Sequence, residues 1–142
     1  MPIDATERQR RRGLLAAHYK AENDHALEQI MATFSPRGEM IYNGQPFRDP
    51  DSIRGGHVYI GFAEASGALA DLVTLRDHEH FTDDAVVVEG RLQGRHVGEF
   101  QGFAPTGRAV ELPFTAFYVF DAEGALVSER VVMNLGPLGG GA

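Results

Sequence analysis

The sequence predicts an α+β domain in which N-terminal helices cover a curved antiparallel sheet built from the rest of the chain. Three observations carry this. From Thr6 to about Phe34 the chain is rich in Ala, Leu, Glu and Arg, lacks proline, and repeats its apolar residues at helical spacing. From Asp71 onward the apolar period falls to two, in β-branched and aromatic segments. Helices first and strands in succession afterwards is the order of an α+β fold. Such a sheet twists, and if it also curves, the space beneath the helices becomes a cone-shaped pocket for a small molecule.

The elements follow in order. Leu14, Ala17, Ala21 and His25 recur at helical spacing, as do Leu27, Ile30, Met31 and Phe34, and Asn23-Asp24 offers an N-cap between two helices. Ser35-Pro36-Arg37-Gly38 ends the helical region. Glu39–Tyr42 reads as a short strand, and Asn43-Gly44 supplies hairpin-turn chemistry. A third helix starts near Asp51 or Ser52 and carries Ile53, His57, Ile60 and Ala63/Glu64 on successive turns, with Gly55-Gly56 weakening it. Strands are expected over Val73–His80, Ala85–Gln93, Arg95–Phe100, Ala109–Phe120 and Leu126–Leu135. No repeat or linker divides the chain, so residues 1–142 form one domain, with residues 1–12 as an arm and 136–142 as a glycine-rich tail, both flexible.

Composition narrows the function. A formal net charge of −7 argues against nucleic acid or an anionic membrane as partner, so the run Arg8, Arg10, Arg11, Arg12 reads as a solvated helix face. The absence of cysteine removes disulfides, iron–sulfur clusters, thiolate zinc sites and cysteine nucleophiles. The opening MPIDATERQRRRG lacks a signal-peptide core and no apolar run reaches membrane-span length, so a cytoplasmic protein is expected.

The stretch Gly94-Arg95-His96-Val97-Gly98-Glu99-Phe100-Gln101-Gly102-Phe103-Ala104-Pro105-Thr106-Gly107-Arg108 resembles the GTHxGxFxGxxPTG segment of SnoaL-like polyketide (ester) cyclases. Asn23–Leu27 with Met31–Phe34, and the Asp121–Leu126 turn with the Ser128–Asn134 strand, resemble that family's helical start and last hairpin. The resemblance runs from about Leu14 to Leu135. It implies a nuclear-transport-factor-2-like (cystatin-like) cone, a homodimer, a small-molecule ligand, and neither cofactor nor metal. The implied chemistry is an intramolecular aldol closure, in which an inward carboxylate on the last strand removes a proton between two carbonyls. The matching position is Asn134, an amide that cannot be that base. Where the family places a histidine helper on the preceding strand, Tyr118 and Phe120 stand.

Alternation from Leu126 puts Ser128, Arg130, Val132 and Asn134 on one face, read as the concave one. Arg130 with Asn134 is then the pocket pair, and His96 the substitute base. Tyr42, Tyr59, Phe114, Tyr118 and Val132 are expected to line the substrate. His78 and His80 share one side of a strand without further ligands at readable spacing, so no metal is expected, and they read as a surface or dimer pair. Glu89 with Arg91 would be the seed of an epoxide hydrolase, and otherwise is a surface ion pair. His25 reads as a packing or capping residue. The functions left open are a cyclase- or isomerase-type enzyme on a carbonyl-rich substrate, a non-catalytic binding or interaction domain, and an epoxide hydrolase.

Overall fold

The structure is a computed structural model that describes residues 3–64 and 67–139. Helix α1 (Ala5–Asn23) is capped by Asp4, whose carboxylate accepts the Glu7 N–H at 2.8 Å. The first turns are therefore helix from Ala5 rather than a loose arm, while Met1 and Pro2 lie outside the described residues. Its buried residues are Arg11, Leu15, His18, Tyr19, Ala21 and Glu22, so of the Leu14/Ala17/Ala21 row that apolar spacing selects Ala21 is buried, while Leu14 is half-buried and Ala17 exposed. Arg11 is not a solvated cation. It bonds Glu7 and the Asp83 carbonyl and lies over the Phe120 ring, tying α1 to the sheet.

Asn23 does not cap the next helix. Its side-chain amide pairs with the N–H and C=O of Thr74, as a neighbouring strand would. His25 turns the chain with φ of 54° and bonds the Leu72 carbonyl, and α2 (Leu27–Met31) follows. Strands β1 (Glu39–Tyr42) and β2 (Gln45–Phe47) form the hairpin around Asn43-Gly44, both residues having positive φ as that turn demands. Helix α3 (Pro50–Ile60) is capped by Asp49, earlier than Asp51 or Ser52, and proline serves at the first turn. A Cβ at Gly56 would stand 2.7 Å from Met40 Cε and 3.2 Å from the Phe47 ring, so a larger residue there would push those side chains aside.

Four long strands complete the sheet: β3 (Leu69–Phe81), β4 (Ala85–His96), β5 (Ala109–Phe120) and β6 (Leu126–Met133). Their order is β2-β1-β6-β5-β4-β3. The sheet is curved and unclosed but mixed rather than purely antiparallel, because β1 runs parallel to β6. No tight turn links those two strands, so nothing imposes the antiparallel sense on them. β4 continues through Gly94 to His96, and the expected Arg95–Phe100 strand is reduced beyond that to a single Phe100–Phe103 bridge. A last turn, α4 (Gly136–Gly139), replaces part of the expected tail, and residues 140–142 lie outside the described residues.

Register shifts decide which side chains face the helices. Two occur in β3, between Ala70 and Val73 and between Arg76 and His78, and one in β6. In β6, Leu126 pairs with Phe120 and Ser128 with Val119, so Val127 is an extra residue opposite no partner. A bulge of this kind reverses the alternation beyond it. Leu126 points inward, and after the bulge so do Glu129, Val131 and Met133, while Ser128, Arg130, Val132 and Asn134 take the outer face. The alternation expected from Leu126 is corrected on that ground. Among the described residues, no helix is long and apolar enough to cross a membrane.

Candidate active site

Between the helices and the concave face lies a buried polar cluster built from four elements. α1 contributes His18 and Glu22, one helical turn apart; α3 contributes His57; β3 contributes Thr74; β6 contributes Glu129. All five are buried, His18 completely and Glu129 to 3% exposure. Ionisable groups so placed must be paired.

His18 is the hub. The Thr33 hydroxyl donates to the Ile30 carbonyl at 2.6 Å, so its oxygen is free only to accept, and His18 Nδ1 donates to it at 2.8 Å. His18 Nε2 stands 3.1 Å from Glu129 Oε1 and 3.1 Å from Glu22 Oε2. With an acceptor at one ring nitrogen and carboxylate oxygens at the other, both nitrogens carry protons and the ring is an imidazolium. Burial alone would lower the His18 pKa, but the Glu22 charge and the Glu129 hydrogen bond push it up to about 10. Burial likewise acts to raise the Glu129 pKa, yet the His18 hydrogen bond and charge outweigh it and hold the carboxyl below its ordinary value. Glu22 Oε1 accepts the Thr74 hydroxyl at 3.2 Å. His57 donates Nδ1–H to the Ile53 carbonyl at 2.8 Å, leaving Nε2 3.9 Å from Glu22 Oε2.

One atom in this network is unmatched: Glu129 Oε2 is buried and has no hydrogen-bond partner. Glu129 lines a cavity of about 10 Å³, room for about one water molecule. Tyr19, Tyr42 and Tyr118 line the same space, with Phe62, Leu92 and Phe114 as its apolar wall. Tyr118 O–H donates to the Tyr19 hydroxyl at 2.6 Å. Burial pushes all three phenols well above their ordinary pKa, so they stay protonated.

Of the residues singled out from the sequence, Tyr42, Phe114 and Tyr118 meet in this cavity. The others do not. Arg130 is exposed on the outer face and donates to Ser128 Oγ at 3.0 Å. Asn134 is exposed too, its Oδ1 accepting the Gly136 N–H at 2.9 Å to start α4. Val132 is 64% exposed. His96 is buried at the end of β4, bonded to Thr106 Oγ1 at 3.2 Å and not part of the cavity lining. Tyr59 O–H donates to Glu99 and accepts the Gln101 N–H, which pins the 97–103 loop. His80 pairs with Glu89 at 2.7 Å and Arg91 with Asp77 at 2.8 Å, all in the open. Asp77, Glu89 and Arg91, with His78, Val132 and Asn134, border an outer groove of about 740 Å³.

Apolar periodicity passed over His18, Glu22 and Glu129 because it scores apolar residues. The His-x-x-x-Glu spacing of His18 and Glu22 was the available signal, since it puts imidazole and carboxylate on one helix face.

The profile of the SnoaL-like domain matches residues 15–129. The chain belongs to the SnoaL-like domain family. No curated protein matches it. Among solved structures, a candidate SnoaL-like polyketide cyclase from Jannaschia sp. CCS1 superposes with a TM-score of 0.78 at 18% identity, covering 100% of this chain and 99% of that one. IdmH, a candidate polyketide cyclase from Streptomyces antibioticus, gives 0.71 at 20% identity over 90% and 94% of the two chains. SalBIII, an epoxide hydrolase/cyclase-like enzyme of pyran ring formation in polyether salinomycin, gives 0.74 at 14% identity over 92% and 95%. At these identities the likeness carries the nuclear-transport-factor-2-like fold of this SnoaL-like chain and leaves its chemistry to its own residues.

Proposed function

We propose that the protein is a SnoaL-like acid–base enzyme acting on a carbonyl-rich small molecule, with Glu129 as the base. The observation that carries this is Glu129, a buried carboxylate that lines the cavity and keeps one oxygen unpaired. It is an inward carboxylate on the last strand, the group that the Asn134 alignment left without a candidate. In the reading, Oε2 takes a proton from a carbon between two carbonyls. The Tyr19 hydroxyl, which accepts from Tyr118, turns its own proton to the enolate oxygen. The His18 cation offsets the negative charge that moves from carboxylate to enolate. The enolate carbon then attacks a second carbonyl, and Glu129 returns its proton to the new alkoxide.

Room for one water means that Phe62, Leu92 and Phe114 must give way before a polyketide-sized ligand enters. The same volume favours a second reading, in which Oε2 activates that water to open an epoxide. An assay of chelator-treated protein against an aromatic polyketide ester and an epoxide decides between them. Closure of the ester supports the first reading, and diol carrying solvent oxygen supports the second. Saturable binding with neither turnover leaves a binding domain and rejects both.

The protein acts in the cytoplasm as a homodimer in this reading, joined through the outer sheet face. Phe117 at 40% and Val132 at 64% exposure give that face apolar area that a partner copy would cover. Sedimentation at micromolar concentration is expected to give twice the chain mass. A Val132→Lys variant is expected to sediment as monomer, and a monomeric wild type would remove the dimer from the proposal.

A further inference from the structure

The arrangement of donors around Glu22 is one that a metal ion would also use. One ring nitrogen each from His18 and His57, and one carboxylate oxygen each from Glu22 and Glu129, all lie within 4.8 Å of one another, fully inside the protein. We propose that these four side chains form a binding site for one divalent transition-metal ion of the zinc, cobalt(II) or iron(II) class. The site goes beyond the acid–base reading and does not depend on it.

Two independent features point to an ion. The first is how the ligands are held. His18 and His57 each donate Nδ1–H to an oxygen that is free only to accept, on Thr33 and Ile53. Both Nε2 atoms are thereby turned toward Glu22 Oε2, at 3.1 and 3.9 Å, and His18 Nε2 offers its lone pair once an ion displaces its proton. Glu22's other oxygen is held by Thr74. Outer hydrogen bonds of this kind orient histidine and carboxylate ligands at metal centres. The second is the Glu129 carboxylate, buried in the cluster with its Oε2 unpaired.

Size and charge agree. Bonds of about 2.0–2.1 Å place tetrahedral ligand atoms roughly 3.3 Å apart, so the cluster closes on an ion with shifts on the order of 1 Å. Two carboxylates and two neutral imidazoles around a dication make a neutral site, which a buried location favours. Mixed imidazole and carboxylate donors select zinc, cobalt or iron(II) over magnesium and calcium, which take oxygen ligands. The ion replaces the proton on His18 Nε2. It also takes up the Glu129 carboxylate, so a loaded protein is expected to lose the turnover that the chelator-treated protein shows.

The test is titration of tag-free, chelator-stripped protein with cobalt(II). The expected result is saturation at one ion per chain, with visible absorption bands and X-ray absorption showing scattering from two imidazoles. His57→Gln is expected to weaken binding at least about 100-fold, and Thr33→Val, which removes the oxygen holding His18, about 10- to 100-fold. His80→Gln, on the outer face, is expected to leave the titration unchanged. The proposal is overturned by an absence of saturable binding, by oxygen-only scattering, by unchanged affinity in a folded His57→Gln protein, or by loss of binding in His80→Gln. If His57→Gln does not fold, the imidazole count in wild type decides. Ion binding is read without substrate, so its failure leaves the acid–base proposal standing, and the reverse holds as well.

Discussion

Glu129→Gln is expected to lower turnover of the metal-free protein by about 10²- to 10⁴-fold, the usual contribution of a positioned general base. Glutamine keeps the shape and can still accept from His18 through its amide oxygen, but it cannot take a proton. The fold should survive, because Glu22 Oε2 remains 3.1 Å from His18 Nε2 as a counter-charge. Adding Asn134→Asp to this variant tests the position that the family resemblance selects. That carboxylate would face the outer groove, on the opposite side of β6 from the cavity, so no recovery is expected. Wild-type turnover in Glu129→Gln, or rescue by Asn134→Asp, would remove Glu129 from the mechanism. Steady-state assays with circular dichroism on each variant give the answer.

His18→Leu is expected to be among the most destabilising single changes in the chain, by about 3–5 kcal/mol. The side chain is completely buried and is the cation between Glu22 and Glu129. Leucine fills much of the space but leaves two carboxylates facing each other without a counter-charge. For a chain of this length the melting temperature should fall on the order of 10 °C. A second variant separates charge from packing. In His18→Leu/Glu22→Gln/Glu129→Gln the carboxylates are gone with the cation, and part of the lost stability should return. Urea denaturation of the three proteins measures this. A loss under about 1 kcal/mol in the single variant, or no recovery in the triple, would mean that the cluster is not an interdependent set of charges.

The sequence by itself determined the class of fold, the order of its elements and most of their limits. Local signals sufficed there, because they act within a few residues: the helical spacing before Phe34, the Asn43-Gly44 turn, and the alternation along Ala109–Phe120, which the structure keeps over its whole length. It also determined the family, since Gly94–Arg108 is a contiguous segment that needs no folding to be compared. It did not determine the site, and α1 and β6 show why. On α1 the row that packs inward is Arg11, Leu15, His18 and Glu22, and three of these four are polar. A search for apolar periodicity therefore selects the neighbouring row. Only packing against α3 and β6 provides the partners that let charges be buried.

On β6 a single extra residue, Val127, reverses the faces beyond it and exchanges Arg130 and Asn134 for Glu129. Alternation in sequence cannot contain that reversal, because a bulge is defined by the register of the neighbouring strand. The same holds for the sense of the sheet. β1 lies parallel to β6 because of where the whole chain brings it, not because of anything between Glu39 and Tyr42. Elements are decided by neighbours along the chain. The His18–Glu22–His57–Glu129 cluster is decided by neighbours across it, and charges so buried become stable only when all of those neighbours have arrived.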